Sequence, residues 1–492
     1  MLTKSDFLKY IQCPKCLWLG KYRKDLVPEI TEAKQRVFDD GFEVEEYTYK
    51  LFPGGVSAKT DDFKRDKAET LRLMHSDNKA IFQATFSNFD TELFCRSDIL
   101  KYDDENQVWD IYESKSSTQA KKIHFYDLAF QRLVLESEGY KIGKTLLILV
   151  NNQYIKNGEI IPTEFLKIED VSEQVNEVLE ETRIKMEEAL KILKLKDYPE
   201  VRMLKQCNDP YECDFLEFCS ANIPEDSIYD VAYGLSEEQM NTLLDMGIIK
   251  IEDIPDGFIE KEKYLRHLEA MKKKEDTVDI EKIKEELGKL EYPLYFIDYE
   301  TYSPAVPAFD GYRPYERITF QYSLHIQRAP GGELEHYEFL SKDFKDPAPK
   351  LIESLKNIVG EKGSFISWNM VFEKGCNSEM ALRNPESKDF FENINERMFD
   401  LMDIFKNGYV VKRAFKASAS IKKVLPVMVP ELSYKDLNIH EGGTASVSWL
   451  KLTNETLDEE KRLALYRDML DYCKLDTLAM VEILREVNKL IN

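Results

Sequence analysis

The chain has 492 residues, 43% of them hydrophobic and 32% charged, a balance that supports folded cores and excludes a globally disordered protein. That length exceeds one compact domain and predicts two or three. The formal net charge of -23 excludes a protein that binds nucleic acid through its overall charge, because such a field repels phosphate, so that local basic patches or metal ions would be needed.

The first predicted domain covers residues 1–224 and mixes helices with strands. Apolar periodicity predicts two helices, three strands, a helix, a strand and a long helix, in this order. They are Lys4–Ile11, Thr31–Leu51, Ala80–Phe86, Glu92–Tyr102, Gln107–Lys115, Ile123–Glu138, Thr145–Val150 and Val171–Leu193. A cysteine-rich tail, Cys207–Cys219, follows.

A helical connector is predicted over residues 225–291, and a second α/β domain over residues 292–492. In that domain the patterns predict three strands, a helix, a strand and a final helix. They are Leu294–Ile297, Thr319–Ile326, His336–Leu340, Pro349–Val359, Ser364–Trp368 and Leu457–Leu490. The order is that of a ribonuclease-H-like core, so the predicted fold class of the whole chain is α/β.

Charged residues at two neighbouring strands of the first domain form a candidate site. Asp98 lies in the second predicted strand, and Glu113 and Lys115, at the end of the third, share one face because strand side chains alternate. Two carboxylates there would bind a divalent cation, and the lysine would stabilise charge on a phosphate. Gln131 lies on the following helix. The alternative is an exposed salt bridge at a strand end.

These residues resemble the core of PD-(D/E)XK nucleases, specifically the RecB-type branch. The resemblance implies that Asp98 and Glu113 bind metal, that Lys115 is catalytic and that Gln131 supports the site. That branch usually has a further acid or histidine on an earlier helix, and Glu43 and Glu45 both remain candidates for it.

The cysteines around this first domain suggest a metal. No window of about eighteen uninterrupted apolar residues predicts a membrane span, and no signal peptide is recognised, so the expected compartment is the cytoplasm. The eight cysteines of the chain are therefore expected to stay free or to bind metal rather than to form disulfides. Five of them flank the core: Cys13, Cys16, Cys207, Cys213 and Cys219.

This placement resembles RecB-type nucleases that carry a four-cysteine iron–sulfur cluster, with one cysteine before the core and three after it. The resemblance implies a 4Fe-4S cluster bound by four thiolates, with Cys16 as an alternate for the first: Cys13, Cys207, Cys213 and Cys219. Four thiolates suit zinc as well, and buried free thiols are the remaining alternative.

Carboxylates also mark the second α/β domain. Asp298 and Glu300 follow an apolar strand and point to one face, where they repel each other unless a cation lies between them. Magnesium prefers such carboxylate ligands. Tyr472 and Asp476 are four residues apart on the final helix and share a face. Glu373, at a strand-to-helix turn, offers another acid.

The set Asp298-x-Glu300, Asn369-x-x-Phe372-Glu373 and Tyr472-x-x-x-Asp476 resembles the motifs of DEDD exonucleases of the tyrosine branch, which are related to polymerase proofreading domains. The resemblance implies that four acids hold two Mg²⁺ or Mn²⁺ ions, which cleave a terminal phosphodiester in the 3′ to 5′ direction: Asp298, Glu300, Glu373 and Asp476. Tyr472 would position the attacking water.

The family's second motif normally ends in aspartate, whereas this chain has Glu373, which is one methylene longer. Asp400 and Asp403 are substitute candidates for that position. A locally basic stretch, residues 412–423, could contact phosphates near a helix start at Ser420, or could be a solvated helix face.

Over nearly its whole length the chain resembles an uncharacterised bacterial family that joins a RecB-type module to a ribonuclease-H-like exonuclease domain. The resemblance implies a metal-dependent nuclease that acts on nucleic acid, on DNA in preference to RNA, in DNA repair or processing. The first module would be a second nuclease or a clamp. The alternatives are a non-catalytic nucleic-acid-binding scaffold and an RNA-trimming exonuclease, which contacts to the 2′-hydroxyl would distinguish.

Overall fold

The computed structural model describes residues 1–60, 62–88, 90–435, 437–439 and 442–492, without the side chains of residues 63, 232 and 233. It is a mixed α/β protein of two compact units, Met1–Asn222 with Pro304–Tyr315, and Ile223–Ser303 with Glu316–Asn492. The boundary lies next to the predicted one at residue 224. The predicted connector is part of the second unit, however, and residues 304–315 belong to the first.

The first unit contains seven strands and eight helices among its described residues. In chain order they are β1 (Leu2–Thr3), α1 (Lys4–Gln12), α2 (Pro14–Tyr22), α3 (Glu32–Tyr49), β2 (Val56–Ser57), α4 (Phe63–Met74), β3 (Ala80–Asn88), β4 (Leu93–Asp103), β5 (Val108–Lys115), α5 (Lys122–Ser137), β6 (Ile142–Val150), α6 (Pro162–Phe165), β7 (Leu166–Asp170), α7 (Ser172–Ile192) and α8 (Leu216–Ser220). The eight predicted elements correspond to α1, α3, β3, β4, β5, α5, β6 and α7, with ends that shift by a few residues.

The seven strands form one sheet in the order β2-β3-β4-β5-β6-β7, with β1 beside β4. Strands β3, β4 and β5 are antiparallel neighbours, whereas β5 and β6 are parallel and are joined by the crossover helix α5. Strand β3 occupies one edge of β4 along its length. On the other edge β5 pairs with residues 99–103 of β4, and β1 pairs with residues 93 and 94. Strand β1 therefore covers a part of β4 that β5 does not.

Residues 304–315 complete the core of the first unit. Ala305 and Val306 are buried in a cluster that includes Phe165. The backbone of Lys156 exchanges hydrogen bonds with this segment, donating to Tyr312 O at 3.0 Å and accepting from the Gly311 amide at 2.8 Å. Residues 304–315 therefore belong structurally to the first unit, although residues 223–303 of the second unit come before them in the sequence.

The second unit begins with short helices and continues into a second sheet. In chain order its elements are α9 (Glu237–Asp245), α10 (Glu262–Lys273), β8 (Thr277–Val278), α11 (Ile280–Leu287), β9 (Leu294–Tyr302), β10 (Ile318–Gln327), β11 (Leu334–Leu340), α12 (Ala348–Lys356), β12 (Ser364–Ser367), α13 (Met370–Arg383), α14 (Lys388–Glu396), β13 (Met398–Asp400), α15 (Met402–Lys406), β14 (Val410–Val411), α16 (Ile421–Met428), α17 (Gly442–Leu452) and α18 (Glu459–Ile491).

Five of these strands form a sheet in the order β11-β10-β9-β12-β13. Strands β9, β10 and β11 are antiparallel, and β12 and β13 run parallel to β9. Alternate residues of β9 enter different cores: Phe296 packs with the α18 residue Ala479, whereas Ile297 packs with Leu351 of α12. By this alternation the even-numbered residues of β9 face α18.

The longest helix, α18, has 33 residues and carries charge throughout. Within the described part of the chain, no helix combines the length and the apolar character that crossing a membrane requires. Strand β9 extends five residues beyond the predicted end at Ile297, so Asp298 and Glu300 lie inside the strand rather than after it.

Candidate metal centre

Three predicted acids of the second unit meet on the α18 side of the sheet. Asp298 and Glu300 come from β9, and Asp476 comes from α18. One oxygen from each carboxylate lies within 4.8 Å of the other two, and no other group of three possible ligands is this close among the described residues. Residues 178 positions apart in the chain therefore converge, as the spacing of the motifs predicts.

Polar side chains of β10 fix α18 against the sheet. The Gln321 amide donates to the carbonyl of Met469 at 2.8 Å. Further along the strand, Ser323 Oγ lies 2.7 Å and His325 Nδ1 2.8 Å from the hydroxyl of Thr477. These groups are buried, so leaving them unpaired would cost free energy. These hydrogen bonds hold α18 at Met469 and at Thr477, on either side of Asp476, and so fix the position of Asp476 over β9.

One tyrosine donates to this third acid and a second lies near it. The Tyr434 hydroxyl donates to Asp476 Oδ1 at 2.6 Å, and the nearby Tyr472 hydroxyl opposes the rise in the pKa of the same carboxyl. The two rings lie 6.3 Å apart. Nearby, the buried Cys473 thiol lies 3.5 Å from Asp298 Oδ2. Tyr472 thus lies beside the acids as predicted, whereas Tyr434, in the loop after α16, was not predicted.

Glu373 lies in the first turn of α13 with only 2% of its surface exposed. Its Oε2 atom is buried and accepts no hydrogen bond from any described residue. Its charge contributes to the raised pKa values of Asp298 and Glu300, but it is not part of the group of three acids whose oxygens lie within 4.8 Å of one another. A buried carboxylate oxygen without a donor is costly, and a bound cation would remove that cost.

Asp400, one substitute candidate for Glu373, has a different role. Its two oxygens accept from the backbone amides of Asn369 and Met370 at 3.0 and 3.1 Å. It therefore caps the N-terminus of the helix that carries Glu373, where the helix dipole favours a negative charge. Asp403 lies on α15, where burial and the charge of Asp400 raise its pKa.

Burial and mutual repulsion favour the neutral, protonated forms of these acids. Burial, followed by the neighbouring carboxylates, raises the pKa of Asp298 well above its usual value and that of Glu300 to about 8. Burial raises the pKa of Glu373 to about 8 and that of Asp476 to about 6. Lys422 at the start of α16 opposes these shifts at Glu300 and Asp476. A divalent cation would favour the ionised forms.

The predicted residues of the first unit also come together, but as ion pairs. Lys115 Nζ lies 2.7 Å from both Glu113 Oε1 and Asp127 Oδ2. The Gln131 amide donates to Glu113 Oε2 at 2.7 Å and to Asp127 Oδ1 at 2.9 Å. Lys4 Nζ lies 2.7 Å from Glu113 Oε1 and 3.5 Å from Asp127 Oδ1.

Asp98 lies beside this network on β4. Its Oδ2 accepts from the Ser114 amide at 2.9 Å, and burial raises its pKa. Glu45 on α3 adds to that shift, so it lies close, and it accepts hydrogen bonds from Tyr49 and Gln83. Glu43 instead lies 3.7 Å from Arg36. Of the two earlier acids, Glu45 is therefore the one near the cluster.

Sequence reasoning missed Lys4 and Asp127. Asp127 lies four residues before Gln131 on α5, so helical spacing alone places both on one face. Lys4 has no such local signal. It reaches the cluster because β1 pairs with β4 and ends one residue before it.

Five cysteines line one pocket of the first unit: Cys13, Cys16, Cys207, Cys213 and Cys219. A hydrogen bond from the Cys16 thiol lowers the pKa of Cys213 to about 7, a thiolate-forming value. Among the described residues, however, no three thiol sulfurs lie within 4.8 Å of one another. Tetrahedral zinc would hold four sulfurs about 3.8 Å apart, whereas the iron corners of a cluster separate them further.

The other three cysteines lie elsewhere. Cys95 is buried in the core of the first unit and Cys376 in that of the second, as expected for core thiols. Cys473 is also buried, but it contacts Asp298.

Comparisons with known proteins describe the chain without naming an activity. Residues 295–420 match a family model described as a domain of unknown function, DUF2779. The chain is 29% identical over 220 residues to the uncharacterized protein MG366 homolog of Mycoplasma pneumoniae, covering 41% of this chain and 33% of that protein. It is 27% identical over 231 residues to the uncharacterized protein MG366 of Mycoplasma genitalium, covering 43% and 34%. The chain thus spans about a third of the length of these relatives.

Proposed function

We propose that the protein is a metal-dependent nuclease whose second unit removes nucleotides from the 3′ end of DNA. The observation that carries the proposal is the convergence of Asp298, Glu300 and Asp476 within 4.8 Å. The buried, donorless oxygen of Glu373 supports a bound ion. Together these four acids would offer enough oxygens to hold two Mg²⁺ or Mn²⁺ ions.

The topology of the sheet agrees with this proposal. Three antiparallel strands followed by two parallel ones, in the order β11-β10-β9-β12-β13, resemble a ribonuclease-H-like core. The first acids lie on the central strand β9, and the last acid lies on the final helix, α18. This is the placement that the DEDD resemblance implies, with Glu373 in the position of the family's aspartate.

The residues of the site suit phosphodiester hydrolysis. When bound, the two ions would stabilise charge on the attacking and leaving oxygens. Tyr472 is close enough to Asp476 to affect its pKa and would orient the attacking water. Lys422 lies close enough to affect two of the acids and would contact the phosphate of the terminal nucleotide. The positive charge of Lys422 would oppose the repulsion between the acidic chain and the phosphates of DNA.

The first unit would hold the substrate, and its five-cysteine pocket would carry a 4Fe-4S cluster. The donor set supports this assignment, because five thiols line one pocket and one thiol has a lowered pKa. Zinc is the alternative occupant. DNA is proposed over RNA because the motifs resemble those of proofreading exonucleases.

A strand-shortening assay tests the proposed activity. We expect the full chain with Mg²⁺ or Mn²⁺ to shorten 5′-labelled single-stranded DNA from its 3′ end. The double variant Asp298→Asn, Glu300→Gln should lose the activity, whereas Asp403→Asn should keep it. An unchanged rate in the double variant would remove the assignment. Faster shortening of RNA would change the substrate, and no shortening of either would favour the scaffold.

A further inference from the structure

We propose that Lys4 is the built-in counter-cation of the first unit's acidic cluster, so that this cluster excludes a divalent metal and does not cut nucleic acid. The acidic cluster consists of Asp98, Glu113 and Asp127. The proposal concerns a site separate from the proposed exonuclease centre and does not depend on it.

Protein donors already use every oxygen of two of these acids. Glu113 Oε1 contacts the ammonium groups of Lys4 and Lys115, each at 2.7 Å, and its Oε2 accepts from Gln131. Asp127 Oδ2 contacts Lys115 at 2.7 Å, and its Oδ1 accepts from Gln131 with Lys4 at 3.5 Å. Each of these four oxygens therefore has a protein donor, unlike Oε2 of Glu373.

Charge balance points the same way. Two lysines face Glu113 and Asp127, which are both almost fully buried, so these four groups are neutral together, and Asp98 leaves the cluster with one net negative charge instead of the three that the acids alone would carry. In the second unit, by contrast, none of the four proposed metal ligands forms an ion pair with lysine or arginine among the described residues. A magnesium ion about 2 Å from the oxygens of Glu113 would lie against two ammonium groups that bind the same oxygens.

The fold places Lys4 in this position. Strand β1 pairs with the start of β4, which β5 does not cover, and Lys4 follows β1 directly. Thr3 begins α1 with a capping box, accepting from the Asp6 amide while its own amide donates to the Asp6 carboxylate. The Lys4 side chain is 20% exposed, unlike a mobile surface lysine.

Manganese binding tests the proposal on the full chain. In the Asp298→Asn, Glu300→Gln background, which disables the other acidic site, we expect no Mn²⁺ bound in calorimetry or by electron paramagnetic resonance. Adding Lys4→Met should create one Mn²⁺ site per chain, at least about tenfold tighter than any residual binding. Lys21→Met, which removes another first-unit ion pair, to Asp6 at 3.4 Å, should not create a site.

Three results would overturn the proposal. The first is an Mn²⁺ ion bound with Lys4 intact in that background and lost on Glu113→Gln. This measurement needs no Lys4 variant and so does not depend on how that variant folds. The second is a Lys4→Met protein with native circular dichroism that binds no Mn²⁺. Internal cutting of circular DNA that requires Glu113 would equally contradict a cluster that does not cut.

Discussion

Tyr434 and Asp476, 42 residues apart, are joined by a 2.6 Å hydrogen bond in which the phenol donates to Oδ1. The Tyr472 ring, 6.3 Å from that of Tyr434, lies near the same carboxylate of the candidate metal centre. A carboxylate held this way has less freedom to rotate, and its orientation toward the other acids is fixed. The four-residue spacing of Tyr472 and Asp476 along α18 thus explains only part of the geometry.

Tyr434→Phe should therefore lower the exonuclease rate without unfolding the protein. A hydrogen bond to a charged group contributes about 1.5–3 kcal/mol, so we expect a loss of roughly tenfold or more. Rates at saturating Mg²⁺ measure this loss. Tyr337→Phe is the matched control, since that hydroxyl donates to Glu335 at 2.9 Å away from the site. Equal effects of both substitutions would argue against a positioning role.

Glu300→Gln should stabilise the protein when metal is removed. Burial raises the folded-state pKa of Glu300 to about 8, above its ordinary value of 4.5, so the folded state loses stability as the pH rises through that interval. The variant lacks this loss, and in EDTA at pH 8 its Tm should exceed that of the wild type by at least about 2 °C. The gain should shrink at pH 5, where the folded wild type is protonated.

Adding Mn²⁺ instead of EDTA should reverse the difference in Tm between the wild type and Glu300→Gln. Binding to the folded state should raise the wild-type Tm and leave that of Glu300→Gln nearly unchanged. A wild type that is equally stable in EDTA at both pH values would contradict the repulsion between buried acids.

Lys422→Met should lower kcat/KM for DNA at least about tenfold, or about 1.4 kcal/mol, because it removes the positive charge nearest Glu300 and Asp476. The neighbouring Lys423 is equally exposed but is not among the groups that shift these acids, so Lys423→Met is the control. A salt titration of the wild type and both variants would separate a local contact from general attraction. Identical losses would indicate only the latter.

Asp400→Ala should act on the helix that carries Glu373 rather than on a metal ligand. Losing its hydrogen bonds from the backbone amides of Asn369, Met370 and Met402 should cost about 1–2 kcal/mol of unfolding free energy, measured in urea. Activity should fall as α13 shifts, while the Mn²⁺ stoichiometry stays the same. Asp403→Ala serves as the comparison. A lost Mn²⁺ with unchanged stability would make Asp400 a ligand.

Protein prepared without oxygen should be brown and contain iron and sulfide if the cysteine pocket carries a cluster. Cys213→Ser should abolish the colour, because this thiol has the lowered pKa in the pocket. Cys95→Ser, in the core of the first unit, should keep it. Colourless protein with one zinc would replace the cluster by zinc, and protein without either metal would leave five free thiols.

Local patterns predicted the elements that carry the acids. Alternation along β9 placed Asp298 and Glu300 together, and helical spacing placed Tyr472 with Asp476, because both relationships depend on a short stretch of chain. Tyr434 could not be found this way, since it lies in a loop and reaches Asp476 only when α16 and α18 pack. Lys4 depends on a two-residue strand pairing, which has no periodic signal.

The choice between Glu43 and Glu45 was open for a similar reason. Both lie on α3, and helical periodicity alone does not say which side faces β4. Tertiary packing decides it, because Glu45 contacts Gln83 of β3 while Glu43 turns to Arg36. The role of Asp400 as a cap likewise requires knowing that β13 ends beside the start of α13.

The position of residues 304–315 determines how the two units can be studied apart. A polypeptide that stops at residue 222 would lack Ala305 and Val306, and the apolar surface around Phe165 would be open to water. Limited proteolysis, or expression of a fragment that ends at residue 222, would thus give an incomplete first unit with exposed apolar surface that is prone to aggregate. Point substitutions in the intact polypeptide are therefore the better way to assign a function to either unit.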